Sequence, residues 1–138
     1  MSDGNSSSVQ KNVFGEPLEL CGLDPVTGYF RDGYTTTDES DFGSHTVCAV
    51  VSAEFLEHQK SVGNDLSTPA PQFGFAGLKP GDRWAVCAPR WQQALEDGAA
   101  CGVVLAATNE VALEYINSED LIAHSVDVPP DLSELIQD

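Results

Sequence analysis

The stretch Thr46-Val-Cys-Ala-Val-Val51, followed by Ser52, then Ala53-Glu-Phe-Leu-Glu-His-Gln-Lys-Ser-Val62 and Gly63, decides the fold. Its first six residues carry no charge and are rich in β-branched side chains, so they read as a short strand covered on both faces. Ser52 supplies a side-chain oxygen for a helix N-terminus. Ala53 to Val62 reads as that helix, with Phe55, Leu56 and Val62 inward and Glu54, Glu57 and Lys60 outward. Gly63 ends it, because glycine tolerates the left-handed backbone that closes a helix.

Two similar units follow. Arg83-Trp-Ala-Val-Cys-Ala88 leads through Pro89, which has no amide to lose at a helix start, into a helix from Arg90 to Asp97. Trp91, Ala94 and Leu95 form its apolar stripe. Gly102-Val-Val-Leu-Ala-Ala107 leads through Thr108 as N-cap into a helix ending at Ile116, with Val111, Ala112, Tyr115 and Ile116 inward. Ser118 caps a last short helix near Glu119 to His124. Three strand–helix units are compatible with parallel βαβ crossovers. Against that, the first 45 residues are turn-rich and residues 64–82 form a long Pro/Gly loop. The expected fold is therefore α+β, with a small mixed sheet, three or four short helices and long irregular loops. A compact α/β domain of βαβ units is the alternative.

Turn chemistry fills in the rest. Pro80-Gly81 signals a type II turn delivering the chain into the strand at Trp84. Asp24-Pro25 and Thr27-Gly28 are turn signals, and Asp32-Gly33 reads as a hairpin turn between Tyr29-Phe30 and Tyr34–Thr37. The domain is expected over residues 12–126, behind a disordered tail at 1–11. Residues 127–138 read as an acidic tail or a short docking helix, with Asp131 capping a stripe of Leu132, Leu135 and Ile136.

A chain of 138 residues has the size of one domain. Its 22 acids against 6 bases give a net charge of −16. Such a charge repels itself in dilute salt, and concentrated salt removes the cost by shortening the Debye length to about 3 Å at 1 M. The acidity reads as adaptation to a salty cytoplasm. The middle of the chain, residues 46–109, holds six acids and four bases, against eight and two before it and eight and none after it. A site or contact surface is expected in that sparsely charged span. No basic stripe exists to neutralise phosphates, which argues against nucleic-acid binding. No run approaches the roughly 20 apolar residues of a membrane helix, and the first residues lack the apolar core of a secretion signal. A cytoplasmic location is expected, with Cys21, Cys48, Cys87 and Cys101 as reduced thiols.

The richest stretch chemically is Asp41-Phe-Gly-Ser-His45-Thr-Val-Cys48. A Cys48–His45 pair is a candidate nucleophile and base, with Asp41 orienting the imidazole and Cys87 as a further candidate. Strand spacing puts residues 45 and 48 on opposite faces, so a shared site needs a bulge or loop at His45. The bland alternative is a core Cys48 and a His45 bonded to backbone. Cys21, His45, Cys48 and Cys87 are ligand types that suit zinc, though without a C-x₂-C spacing. Zinc is thus a subsidiary alternative, and no cofactor is otherwise expected. Asn64, Asp65, Arg90 and Asp32 are candidate ligand-binding residues. The first two have a bland reading as turn residues bonding their own backbone, and Arg90 as the partner of an acid.

The strings Asn12-Val-Phe-Gly, Leu20-Cys21, Asp24-Pro-Val-Thr-Gly28, Arg31-Asp-Gly33, His45-Thr-Val-Cys-Ala-Val50, Gly63-Asn-Asp-Leu-Ser-Thr-Pro69, Gly77-Leu-Lys-Pro-Gly-Asp-Arg-Trp84 and Arg90-Trp91 resemble the bacterial and plant family called domain of unknown function 2237. The likeness spans about Asn12 to His124. Members often carry further cysteines after Arg-Asp-Gly and before the strand cysteine. Here those places hold Tyr34 or Thr35, and Ala85 or Val86, which counts against a shared multi-cysteine metal site and leaves His45, Cys48 and Cys87 as carried-over candidates. The resemblance implies no activity. Two functions are expected from the residues: a small-molecule binding protein or enzyme with a His/Cys pocket, or a non-catalytic interaction or scaffold module. The second reading rests on Trp84 and Trp91 in the sparsely charged span and implies a homodimer.

Overall fold

A computed structural model of the chain describes residues 10–23, 26–73 and 75–127. The expectations placed on residues 1–9, on Asp24-Pro25 and on the segment after Asp127 lie outside these. Three strands, β1 (Val47–Val50), β2 (Arg83–Val86) and β3 (Gly102–Val103), form one sheet in the order β2-β1-β3. Three α-helices alternate with them: α1 (Ala53–Ser61), α2 (Ala88–Glu96) and α3 (Ser118–Ala123). The fold is α+β.

Every strand pair is antiparallel, with Val47 opposite Val86, Cys48 opposite Ala85 and Ala49 opposite both Trp84 and Val103. The sheet is therefore not mixed, and the βαβ alternative is corrected. The loop after α1 returns the chain to the end of β1 that it had just left. There the Gly81 N–H donates to the Val51 carbonyl (2.8 Å) and the Val51 N–H to the Asp82 carbonyl (3.0 Å). Gly81 has φ +98°, which completes the type II turn read from Pro80-Gly81. A strand that starts where its neighbour ends runs antiparallel to it. The parallel contact among the described residues is an isolated bridge between Val103 and Ser125.

Alternation along β1 divides the interior. Val47, Ala49 and Val51 face the main core with Phe55, Trp84, Val86, Trp91, Val103, Leu105 and Leu121. Cys48 faces the opposite side, in a smaller cluster with Cys21, Val104 and Ala107. The irregular N-terminal segment covers that second side, as two covered faces require of an uncharged strand. Trp91 is fully buried and Trp84 is 8% exposed, so the tryptophans behind the scaffold reading are core residues.

Several local expectations give way to packing. In α1 the third inward residue is Gln59, with Val62 only half-buried. The third unit keeps two strand residues and then turns into a 3₁₀ segment at Leu105–Ala107. The Asp127 carboxylate accepts from the Leu105 and Ala106 amides (2.9 and 3.0 Å), drawing the backbone off the ladder. Thr108 is not an N-cap but closes the 3₁₀ segment, its amide donating to the Leu105 carbonyl. Its hydroxyl is fully buried, donates to the Val104 carbonyl and accepts from the Cys48 amide. Asn109 is the cap instead, of a 3₁₀ turn at Glu110–Glu114 where a longer helix was expected. Asp32-Gly33 makes no hairpin. Gly33 (φ +87°) folds back on the preceding loop, accepting from the Cys21 and Gly22 amides and donating to the Thr27 carbonyl. Gln10 and Lys11, assigned to the tail, are built in: the Gln10 amide group bonds Thr37 and Asn109, and the Lys11 carbonyl accepts from the Glu110 amide.

Candidate functional site: a cysteine, a histidine and an aspartate at the lip of a groove

The backbone between Asp38 and Thr46 is wound into two tight turns, closed by the Asp41 N–H to the Asp38 carbonyl (3.0 Å) and the Ser44 N–H to the Asp41 carbonyl (3.1 Å). Ser44 ends the second turn at φ +52°, a left-handed conformation that costs a non-glycine residue about 1–2 kcal/mol. Its carbonyl accepts from both the Thr46 and Ala88 amides, which ties the loop to the start of α2. This break in the ladder frees His45 from strand alternation.

Asp41 sits with its side chain fully buried. One carboxylate oxygen accepts from the His45 amide (2.8 Å) and the Thr37 hydroxyl (2.9 Å). The other lies 2.6 Å from His45 Nδ1, so Nδ1 carries a proton toward it. Tyr29 flanks the imidazole, ring centroids 5.6 Å apart, and is itself fixed by its hydroxyl donating to the Ser40 carbonyl. Held on two sides, the imidazole presents Nε2 to Cys87 Sγ at 3.4 Å.

Cys87 is the N-cap residue of α2, and its side chain makes no capping bond. The sulfur therefore lies at the positive end of the helix dipole. The His45 imidazole is raised to about 9, first by its hydrogen bond to Cys87 and also by Asp41, against the opposing effect of burial. The geometry suits a thiol and an imidazole in contact, with the imidazole oriented by a carboxylate. Gly43 backs it closely: a Cβ there would lie 3.0 Å from Cys87 Sγ and 3.2 Å from His45 Cε1. Half-buried Cys87 lines a groove of about 600 Å³ together with Phe42, Gly43, Arg90, Gln93 and Glu96. Phe42 stands 92% exposed on its rim.

The other candidates separate cleanly. Cys48 is bonded to Cys21 in a disulfide and fully buried. This corrects its role as nucleophile and the reading of all four cysteines as reduced. Sequence spacing could not show that the N-terminal segment crosses the back of β1 within bonding reach. The zinc set is broken for the same reason: two of its sulfurs are joined to each other, and only His45 and Cys87 meet. Among the described residues no group of three or more His, Cys, Asp or Glu side chains is arranged to hold a metal ion. Asn64 donates to the buried Gln59. Asp65 accepts from the amides of Ser67 and Thr68 and from both their hydroxyls, which holds its carboxyl down at about 2, the Thr68 hydroxyl acting most. Asp32 accepts from the Tyr34 amide and the Thr36 hydroxyl. Asp65 and Asp32 serve their own loops, and Asn64 ties its loop to α1. Arg90 alone of the ligand-binding candidates shares the groove with Cys87. The remaining free thiol, Cys101, is buried and pushed up to about 12 by that burial.

Sequence reasoning paired His45 with the wrong cysteine and missed Gly43, Ser44, Thr37 and Tyr29. The available signal was Cys87-Ala-Pro89, a cysteine placed immediately before a helix start. No curated protein matches the chain. A family model described as an uncharacterised protein conserved in bacteria matches residues 11–125. With most of its length covered by that match, the chain belongs to the DUF2237 family, whose function is unknown.

Proposed function

We propose that this protein is a cysteine-dependent enzyme that transfers or hydrolyses acyl groups, with Cys87 as nucleophile, His45 as proton carrier and Asp41 as the residue that orients it. The single observation behind this reading is the line of contacts Asp41–His45–Cys87, 2.6 and 3.4 Å long, ending on an open groove. Cys87 sulfur attacks the acyl carbonyl, forming a C–S bond, while its S–H bond breaks and the proton passes to His45 Nε2. The C–X bond to the leaving group breaks, and the imidazolium gives its Nε2 proton to X. Water then attacks the thioester with His45 taking its proton, the C–S bond breaks, and the proton passes to sulfur. No redox partner is needed, and Cys101 is too buried to act as a resolving thiol.

The test is p-nitrophenyl acetate hydrolysis, with mass spectrometry of the quenched protein. An acetyl group on Cys87 and release of nitrophenol are expected from the wild type and lost in Cys87→Ala. Equal rates from the two proteins, with no adduct, would sink the reading.

The surface supports a saline, cytoplasmic setting as part of the same proposal. A net charge of −16 is tolerated best where salt screens it. The Cys21–Cys48 bridge, with both residues at or below 2% exposed, is shielded from attack by cytosolic thiols.

A further inference from the structure

Arg90 follows Cys87 by three residues, about 4.5 Å along the axis of α2, and lines the same groove. Its Nη1 donates to the Val62 carbonyl and to Gln93 Oε1, both at 3.4 Å, the weak end of hydrogen-bonding distance. No carboxylate pairs with it among the described residues, although acids outnumber bases 22 to 6 in this chain. An arginine in so acidic a protein has many carboxylates available to it. One that is half-buried beside a thiol and bound only by two long contacts to neutral oxygens keeps most of its fork of donors for a ligand. Glu96 lies six residues further along α2 and lines the same groove, about 9 Å from Arg90 by helix rise. It sets a negative limit to the far end. Anionic charge is thus welcome near the sulfur and repelled beyond it.

Resting on the acyl-transfer reading above, we infer that Arg90 is the specificity-determining residue for a short acyl substrate bearing a carboxylate, which its guanidinium holds while the reacting carbonyl meets Cys87. The match is chemical: a planar guanidinium takes a carboxylate in a two-pronged, charge-assisted contact.

The test uses two reagents of similar size on the full chain, anionic iodoacetate and neutral iodoacetamide. Both alkylate sulfur in the same way, forming S–C and expelling iodide. The iodoacetate-to-iodoacetamide rate ratio at Cys87 is expected to fall about tenfold in Arg90→Gln, the scale of one charge-assisted contact. The iodoacetamide rate serves as the reference within each variant, and circular dichroism with a thermal midpoint reports that the variant is folded. Arg90→Lys retains the charge and most of the ratio. Glutarate is expected to slow iodoacetamide at Cys87 in the wild type and not in Arg90→Gln. An unchanged ratio in Arg90→Gln overturns the inference, and so does an equal fall with both reagents, which marks a purely structural arginine. The two readings fail separately. A protein inert to p-nitrophenyl acetate that keeps the Arg90-dependent ratio loses acyl transfer. One that hydrolyses the ester with a ratio indifferent to Arg90 loses only the carboxylate preference.

Discussion

The proton on His45 is governed by two neighbours from different parts of the chain, and each can be removed singly. Its titration near pH 9 depends first on Cys87. An NMR titration of the imidazole is expected to move back toward its ordinary 6.5 in Cys87→Ala. The raised value also makes the pair a stability element with a definite pH window. The folded state binds this proton more tightly than the unfolded chain does. The contribution is therefore complete below pH 6.5 and lost as pH rises through about 9. Urea midpoints are expected to decline across that interval in the wild type, with a shallower decline in Cys87→Ala. Gly43 offers a second test at this scale. A methyl group there forces the sulfur and the imidazole to shift by a few tenths of an ångström. Gly43→Ala is expected to cut Cys87 alkylation by roughly tenfold, since small misplacements of reacting groups cost heavily, while leaving the thermal midpoint almost unchanged. A wild-type alkylation rate in that variant would mean that the contact of Cys87 with His45 does not control reactivity.

At the scale of elements, α1 and α2 differ in what their first residue does. Ser52 spends its oxygen on the Phe55 amide at 3.1 Å, so Ser52→Ala is expected to cost about 1 kcal/mol of unfolding free energy in urea denaturation. Cys87 occupies the corresponding place in α2 and makes no capping bond. A helix that leaves its cap position to a thiol gives up part of its own stability there. α2 recovers this through burial: Trp91 is fully enclosed and its indole N–H donates to the Cys101 carbonyl at 3.2 Å. Truncation to alanine is expected to cost about 3–5 kcal/mol, the range for large aromatic deletions. The element that carries Cys87 is thus held from its apolar side, and its first residue is left without a capping role.

Over the whole molecule, the N-terminal segment supplies one half of the site and β2 with α2 the other. The Cys21–Cys48 bridge closes a loop of 27 residues that contains Asp41 and His45. Loop-closure entropy puts its contribution at about 3–4 kcal/mol. Replacing both cysteines by serine is expected to lower the urea midpoint accordingly and to weaken Cys87 reactivity, because the loop that orients His45 loses its anchor. Thiol counting gives an independent check: one reactive thiol in the native protein, two after unfolding without reductant, four after reduction. The acidic surface acts at this scale too. Its self-repulsion is screened by salt, so the midpoint is expected to rise from dilute buffer to molar KCl. A flat response would remove the saline setting from the proposal.

The sequence by itself determined β1, α1 with its Ser52 cap, the Pro80-Gly81 turn, a helix beginning within a residue of Pro89 and the α+β class. All of these rest on short-range chemistry: β-branched runs, capping oxygens, and glycine or proline backbones that act within a few residues. Tertiary structure alone decided the antiparallel order, the Cys21–Cys48 bond and the partnership of His45 with Cys87. The last two contacts join residues 27 and 42 positions apart, and the strand pairing reaches further still. Neither local propensity nor spacing encodes which distant segments meet. The left-handed turn at Ser44 and the return of the loop before β2 settle it, because together they carry His45 and Cys87 to the same corner of the sheet.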